Sequence, residues 1–118
     1  MCGRLNVIDD PGVVELCEGL QIELFTTPLI VGRFIRATQN VSIVRQVQGV
    51  RRLDSAIWWL LLEQSEQGFK PSKYTSFNTR YDKLNTKGSA GYLPYRHSRC
   101  VIPVKGFGET EYAGSKAL

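Results

Sequence analysis

Histidine, cysteine and long apolar runs are scarce in this 118-residue chain, and each scarcity excludes a class of protein. His97 is the single histidine, which leaves little material for a histidine-based metal site or catalytic triad. The three cysteines are odd in number and lack CxxC spacing, which argues against a disulfide framework or zinc site and favours a reducing cytoplasm. The longest apolar run, residues 56–62, is far shorter than a membrane span. We therefore expect no metal, no other cofactor and no membrane association.

Charge is present but unevenly placed within the overall net charge of +4. Residues 1–69 hold six arginines against eight acidic residues, whereas residues 70–118 hold nine basic residues against three acidic ones. Aromatic residues are interleaved with the basic ones in this second part, which suits a polyanion that carries stackable bases. A solvated basic face without a nucleic-acid partner is the alternative.

The apolar spacing predicts a mixed α+β domain dominated by strands, extending over residues 1–118. Asp10 and Pro11 form a helix start, and the stripe that follows predicts an amphipathic helix with Cys17 in the core. The other predicted elements are strands near residues 5–8, 41–50 and 98–104, a buried strand at 56–62, a loop at 63–73, a short helix near 81–84, a tight turn at 105–109 and a frayed end at 110–118.

Cys2 stands directly after the initiator methionine, where it can do chemistry that an internal cysteine cannot. Removal of Met1 would leave a free α-amine and a thiol on adjacent carbon atoms of Cys2. The α-amine titrates near neutral pH, and the thiolate is the strongest side-chain nucleophile. This 1,2-aminothiol can trap an aldehyde as a thiazolidine, or it can hydrolyse an amide with the amine as base.

Four segments support this interpretation of Cys2: Met-Cys-Gly-Arg at the start, Trp58-Trp59 after the apolar run, Asn-Thr-Arg-Tyr-Asp at residues 78–82, and Arg-Cys-Val-Ile-Pro-Val-Lys-Gly-Phe-Gly-Glu at residues 99–109. In identity, order and approximate spacing they resemble the SOS-response-associated peptidase (SRAP) family, which includes abasic-site-shielding proteins. The resemblance implies a strand-dominated, barrel-like mixed sheet.

The resemblance also implies a function and a set of site residues. Family members bind single-stranded DNA and join the N-terminal cysteine to the aldehyde of an abasic site as a thiazolidine. By this resemblance Cys2 is the nucleophile, Asn78 bonds near the reacting centre, and Glu109 moves protons. Arg80 contacts DNA phosphate or sugar. Further candidate DNA contacts are Arg4, Lys83, Trp58 and Trp59, for which surface exposure or core packing is the alternative.

The chain also departs from the family pattern, which leads to further expectations. Family domains are longer, and their later half supplies a catalytic histidine that this half-length chain lacks; Thr110 replaces the tryptophan expected after Glu109. A half-length paralogue, a fragment and a decayed copy are the alternatives. A homodimer or a partner chain would then complete the domain.

We predict a cytoplasmic, nucleoid-associated protein that binds single-stranded DNA and traps abasic sites. Two other functions stay open: a non-catalytic nucleic-acid-binding remnant, and an N-terminal-cysteine peptidase. Enzymatic activity would accordingly be lyase-like crosslinking or hydrolysis of peptides.

Overall fold

The computed structural model describes residues 3–24, 26–108, 112–113 and 116–117. These residues form nine strands, two α-helices and one 3₁₀ helix. In chain order they are β1 Arg4–Val7, α1 Pro11–Gly19, β2 Gly32–Arg36, β3 Asn40–Val47, β4 Val50–Ile57, β5 Leu62–Ser65, β6 Gly68–Pro71, the 3₁₀ helix Tyr81–Asn85, α2 Tyr92–His97, β7 Gly106–Gly108, β8 Tyr112–Ala113 and β9 Lys116–Ala117. The predicted strand-dominated α+β class is confirmed. The described strands lie in four small sheets and do not close into a barrel.

The three-stranded sheet has β1 in the middle, with β2 and β7 antiparallel on either side. Leu5 of β1 lies opposite both Ile35 and Phe107, and Leu5 and Ile35 are buried. The pairing continues beyond the strand end, because the Gly3 N–H donates to the Gly108 carbonyl at 3.0 Å. This sheet therefore joins the first described residues of the chain to a segment about a hundred positions later.

The β3–β4 hairpin supplies the centre of the structure. Its two-residue turn has Gln48 and Gly49 at φ 51° and 82°, a left-handed pair that matches the twist of the flanking strands. Alternate residues of β3 point to opposite sides. Val41 packs in a core cluster with Leu5, Val7, Ile35 and Trp58, and Val44 packs in a second one with Val13, Cys17, Ile22 and Leu53. Thus β3 is covered on both faces.

Helix α1 begins as the sequence predicts. The Asp10 carboxylate accepts a hydrogen bond from the Val13 N–H at 2.9 Å, and Pro11 occupies the first turn. Val13 and Cys17 lie one helical turn apart and are both buried. The prediction of Cys17 as a core thiol is confirmed.

Two predictions around the apolar run are wrong. Strand β4 ends at Ile57, and Leu60, Leu61 and Leu62 are each more than a third exposed, so residues 56–62 are not one buried strand. The chain leaves the β3–β4 hairpin here and bonds to a later segment instead, because the Leu60 N–H donates to the Ser76 carbonyl at 3.0 Å. Residues 63–73 are not a loop either. They contain most of a hairpin formed by β5 and β6, with Gly68 at φ 104°.

Three predictions near the end of the chain also need correction. Residues 98–104 form a single bridge, Val101 to Val44, rather than a strand, since Pro103 has no N–H to extend the ladder. Residues 106–108 are strand β7 rather than part of a tight turn. Within 110–118, where fraying was expected, β8 and β9 pair with each other.

The cap of α1 is a testable source of stability. The Lys105 ammonium, 2.8 Å from Asp10 Oδ2, together with the Val13 N–H, lowers the pKa of Asp10 below its usual value of 3.8. A lowered pKa in the folded state adds stability above pH 3.8 that is lost as the pH falls further. Asp10→Ala should lower the urea midpoint at pH 7, and Asp10→Asn, which retains an oxygen acceptor, should lower it less. The difference between wild type and Asp10→Asn should shrink on acidification below pH 3.8; a constant difference would contradict the ion pair.

Candidate active site and nucleic-acid interface

Asn78 follows a backbone segment that is clamped to the end of β4. Trp58 Nε1 donates to the Phe77 carbonyl at 3.1 Å, and the two rings meet edge to face at 5.9 Å. One residue earlier, the Ser76 hydroxyl accepts from the Leu61 N–H at 2.9 Å. Asn78 itself is half-buried. Its position is therefore set by backbone bonds on its N-terminal side.

The two tryptophans occupy different environments. Trp58 is buried in the first core cluster, so core packing, the alternative to a DNA contact, describes its position. Trp59 is half-buried and stacks on Phe77 with ring centroids 5.6 Å apart. Its Nε1–H is buried and has no acceptor among the described residues. Of the pair, Trp59 is thus the one whose ring is partly accessible to a ligand.

Arg80 and Lys83 lie on the exposed side of this segment, at and within the 3₁₀ helix. Arg80 Nε is 3.2 Å from Asp82 Oδ1, and both side chains are mostly in solvent. Such an exposed pair contributes little free energy, so a phosphate can replace the carboxylate at low cost. The exposed ion pair with Asp82 and a contact with DNA phosphate are therefore compatible roles for Arg80.

Cys2 and Glu109 lie outside the described residues, but the residue next to each, Gly3 and Gly108, is described. Gly3 and Gly108 are joined by the 3.0 Å hydrogen bond at the end of the β1–β7 pairing. In the sequence, Cys2 directly precedes Gly3 and Glu109 directly follows Gly108. Arg4, which follows Gly3, is exposed.

A cleft of about 270 Å³ lies on this part of the three-stranded sheet. Arg4, Arg33 and Phe34 line it, and the glycines of β7 leave it open because no side chain extends from them. Phe34 is 70% exposed, and Asn6 Oδ1 is buried with no donor among the residues that the structure describes. The sequence interpretation missed Asn6 and Phe34. Alternation of side chains in residues 32–36 could have indicated a strand that includes Phe34, but the sequence analysis assigned no secondary structure to this segment.

The two described thiols differ from an activated nucleophile. Burial raises the pKa of Cys17, which is fully enclosed in the second cluster. Desolvation by surrounding protein also raises the pKa of Cys100, although that residue reaches solvent. Both are mainly protonated at neutral pH, so neither has the depressed pKa of a reactive cysteine.

Within the described ranges, no three His, Cys, Asp or Glu side chains come together in a way that could hold a metal ion. No described helix is both long enough and apolar enough to cross a membrane.

The sequence pattern of one protein family covers nearly the whole chain: the family described as SOS response associated peptidase (SRAP) matches residues 1–117. The chain belongs to the SRAP family. No match was found among curated proteins or among solved structures. Membership associates this SRAP chain with DNA damage, with abasic sites and with DNA as its partner at the level of the family.

The clamp on the Asn78 segment can be tested with two matched substitutions. Trp58→Phe removes the donor to the Phe77 carbonyl and should reduce the free energy of unfolding by about 1–2 kcal/mol more than Trp59→Phe. Trp59→Phe removes a similar volume, but the donor that it removes has no acceptor among the described residues. Urea unfolding monitored by circular dichroism measures both, and equal losses would show that the hydrogen bond does not hold this segment.

Proposed function

We propose that this SRAP protein binds single-stranded DNA and captures abasic sites covalently through Cys2 after removal of Met1. The α-amine of Cys2 attacks the aldehyde carbon of the ring-opened sugar, water leaves, and an imine forms. The thiolate then adds to the imine carbon and closes a five-membered thiazolidine. No oxidant or other reactant is needed.

The observation that carries this proposal is the hydrogen bond between the Gly3 N–H and the Gly108 carbonyl. It supports the juxtaposition of a nucleophile at Cys2 with a carboxylate at Glu109, each one residue away from the bonded pair. Imine formation and ring closure both move protons, so a nearby carboxylate acts as general acid and base. The motif match supplies the residue types, and the strand pairing supplies a reason for their proximity.

Asn78 fits the same place through the first core cluster. Phe77 packs against the cluster that contains Leu5 and Val7 of β1. This shared cluster supports the proposal that Asn78, the next residue, reaches the same site as β1. We assign Asn78 a hydrogen bond to the sugar near the reacting carbon, since an amide can donate and accept at once.

The DNA contacts in this proposal are arginine, lysine and one stacking ring. Arg80 and Arg4 offer exposed guanidinium groups to phosphates, and Lys83 adds a third positive charge. Trp59 offers a partly exposed ring, whereas Trp58 supports it from the core. An abasic nucleotide has no base to unstack, so presenting it costs less than flipping a normal nucleotide.

We also propose that residues 1–118 form a single domain, and we propose a location and a partner for it. The protein would act at the nucleoid, and a second copy or a partner chain would cover the exposed rings of Phe34 and Phe107. The other two functions, a binding remnant and a peptidase, differ from this proposal in whether a covalent DNA adduct forms.

The adduct can be detected on a denaturing gel with single-stranded DNA that carries one abasic site. Wild type should give a retarded band, Cys2→Ala should give none, and Cys100→Ala should match wild type because its thiol has a raised pKa. With borohydride present, Cys2→Ala should regain a band through its α-amine, which still forms the imine. Mass spectrometry of each protein establishes whether Met1 is absent. A band that persists in Cys2→Ala without reductant, or no band in processed wild type, would overturn the proposal.

The role of Glu109 has a separate kinetic signature. Glu109→Gln should slow adduct formation about 100-fold, the typical contribution of a positioned acid–base group, and leave affinity for intact single-stranded DNA unchanged. Single-turnover gel assays give the rate and fluorescence anisotropy gives the affinity. An unchanged rate would show that the carboxylate does not transfer protons, and a parallel loss of affinity would indicate a binding role.

A further inference from the structure

A second and larger cleft, of about 690 Å³, lies between β3 and the C-terminal end of α2. Its lining combines part of β3 with the chain from Arg96 to Cys100. Three arginines and the single histidine contribute to this lining, and the lining includes no carboxylate. The lining residues with ionisable groups, other than the Cys100 thiol, are Arg45, Arg96, His97 and Arg99.

The charges of the three arginines are compensated to different degrees. Arg45 is bonded to Asp54 at 2.6 Å, so it is largely neutralised. The Arg96 guanidinium lies 3.8 Å from the centre of the Tyr92 ring and donates to the Leu84 carbonyl at 2.7 Å. Its partners are uncharged, so its orientation is fixed while its positive charge is retained.

Arg99 is the most available cation in the cleft. It is exposed and makes no ion pair within the described part of the chain. Its guanidinium lies 5.7 Å from the centre of the Tyr95 ring, and Tyr95 is itself about half exposed. A guanidinium beside an exposed ring offers a fork to a phosphate and a face to a base.

A smaller cleft of about 260 Å³ borders this one. The two clefts share Ser98, Arg99 and Cys100, and the smaller one extends to Thr79. Thr79 stands between Asn78 and Arg80 in the sequence. Helix α2 is seated against it closely, since a Cβ added to Gly91 would lie 3.0 Å from Thr79 Cγ2.

We propose that the two clefts form one groove, which binds the sugar–phosphate backbone of the DNA strand as it leaves the abasic position, with Arg99 at the junction. This inference rests on the proposed function, because it extends the strand from that site. The Arg99 guanidinium bonds a phosphate, the Tyr95 ring stacks a base, and Arg96 supplies a fixed positive field. Contacts of this kind hold a strand without reading its sequence.

Binding of an intact strand tests the groove independently of the covalent chemistry. The probe is a fluorescein-labelled oligothymidylate of about 15 nucleotides, long enough to extend beyond one site. The variants are Arg99→Gln, Arg99→Lys and a control, Arg51→Gln, whose exposed arginine lines a different cleft beside residues 21–27. Anisotropy titrations at several salt concentrations give affinity and its salt dependence, and thermal melting checks that each variant folds.

We expect Arg99→Gln to weaken binding about fivefold and to reduce the slope of log K against log salt by about 0.7, the value for one phosphate contact in a single strand. Arg99→Lys should restore most of the slope because it keeps the charge. Arg51→Gln should bind more tightly than Arg99→Gln, close to wild type.

The outcomes separate failure of the groove from failure of the active site. Equal affinity of Arg99→Gln and wild type, or equal losses in Arg99→Gln and Arg51→Gln, would overturn the groove and leave the covalent capture intact. Wild type that forms the abasic adduct but does not bind the intact strand would also overturn only the groove. Wild type that does neither would overturn both.

Discussion

Burial of β3 on both faces is the constraint on which the rest of the structure depends. Because side chains alternate along a strand, Val41 and Ile43 pack with the first cluster while Val44 packs in the second, and the residue between Val41 and Ile43, Ser42, is also buried. The three-stranded sheet packs on the first side and helix α1 on the second. The one polar residue in this set, Ser42, is accommodated because its hydroxyl accepts the Ile30 N–H at 2.8 Å. A shift of one residue in this strand would exchange the two faces and disrupt both clusters.

The first cluster links segments that carry polar candidates of the proposed site. It contains Leu5 and Val7 of β1, and Phe77, which precedes Asn78, packs against it. The hydrogen bond from Gly3 to Gly108 joins the beginning of β1 to the end of β7. The environments of the thiols also differ. Burial and desolvation raise the pKa of Cys17 and Cys100 and keep both thiols protonated, which leaves Cys2 as the nucleophile in our proposal.

Local signals were sufficient for the elements that local bonds determine. Asp10 with Pro11 fixes the start of α1, which was therefore predictable. The strand predicted near residues 41–50 exists, but the turn at Gln48 and Gly49 ends it at Val47. The motifs likewise identified Cys2, Asn78 and Glu109 as candidates, a prediction that the described residues leave untested. Strand β7 depends on pairing with β1, and the turn at Leu60 depends on its hydrogen bond to Ser76; both partners are distant in the sequence. Arg99 was not singled out because its availability depends on where carboxylates lie in three dimensions.

None of the residues in the β5–β6 hairpin belongs to either core cluster. The hairpin pairs with no other described strand, and six of its eight residues are exposed, with Phe69 at 66%. Few apolar contacts are lost when its two strands separate, so its amide hydrogens exchange through a local opening that costs much less than global unfolding. The buried strand β3 and the exposed β5–β6 hairpin therefore differ in the free energy that is needed to open them. The β5–β6 hairpin can rearrange around a ligand while the first cluster, against which Phe77 packs, remains intact.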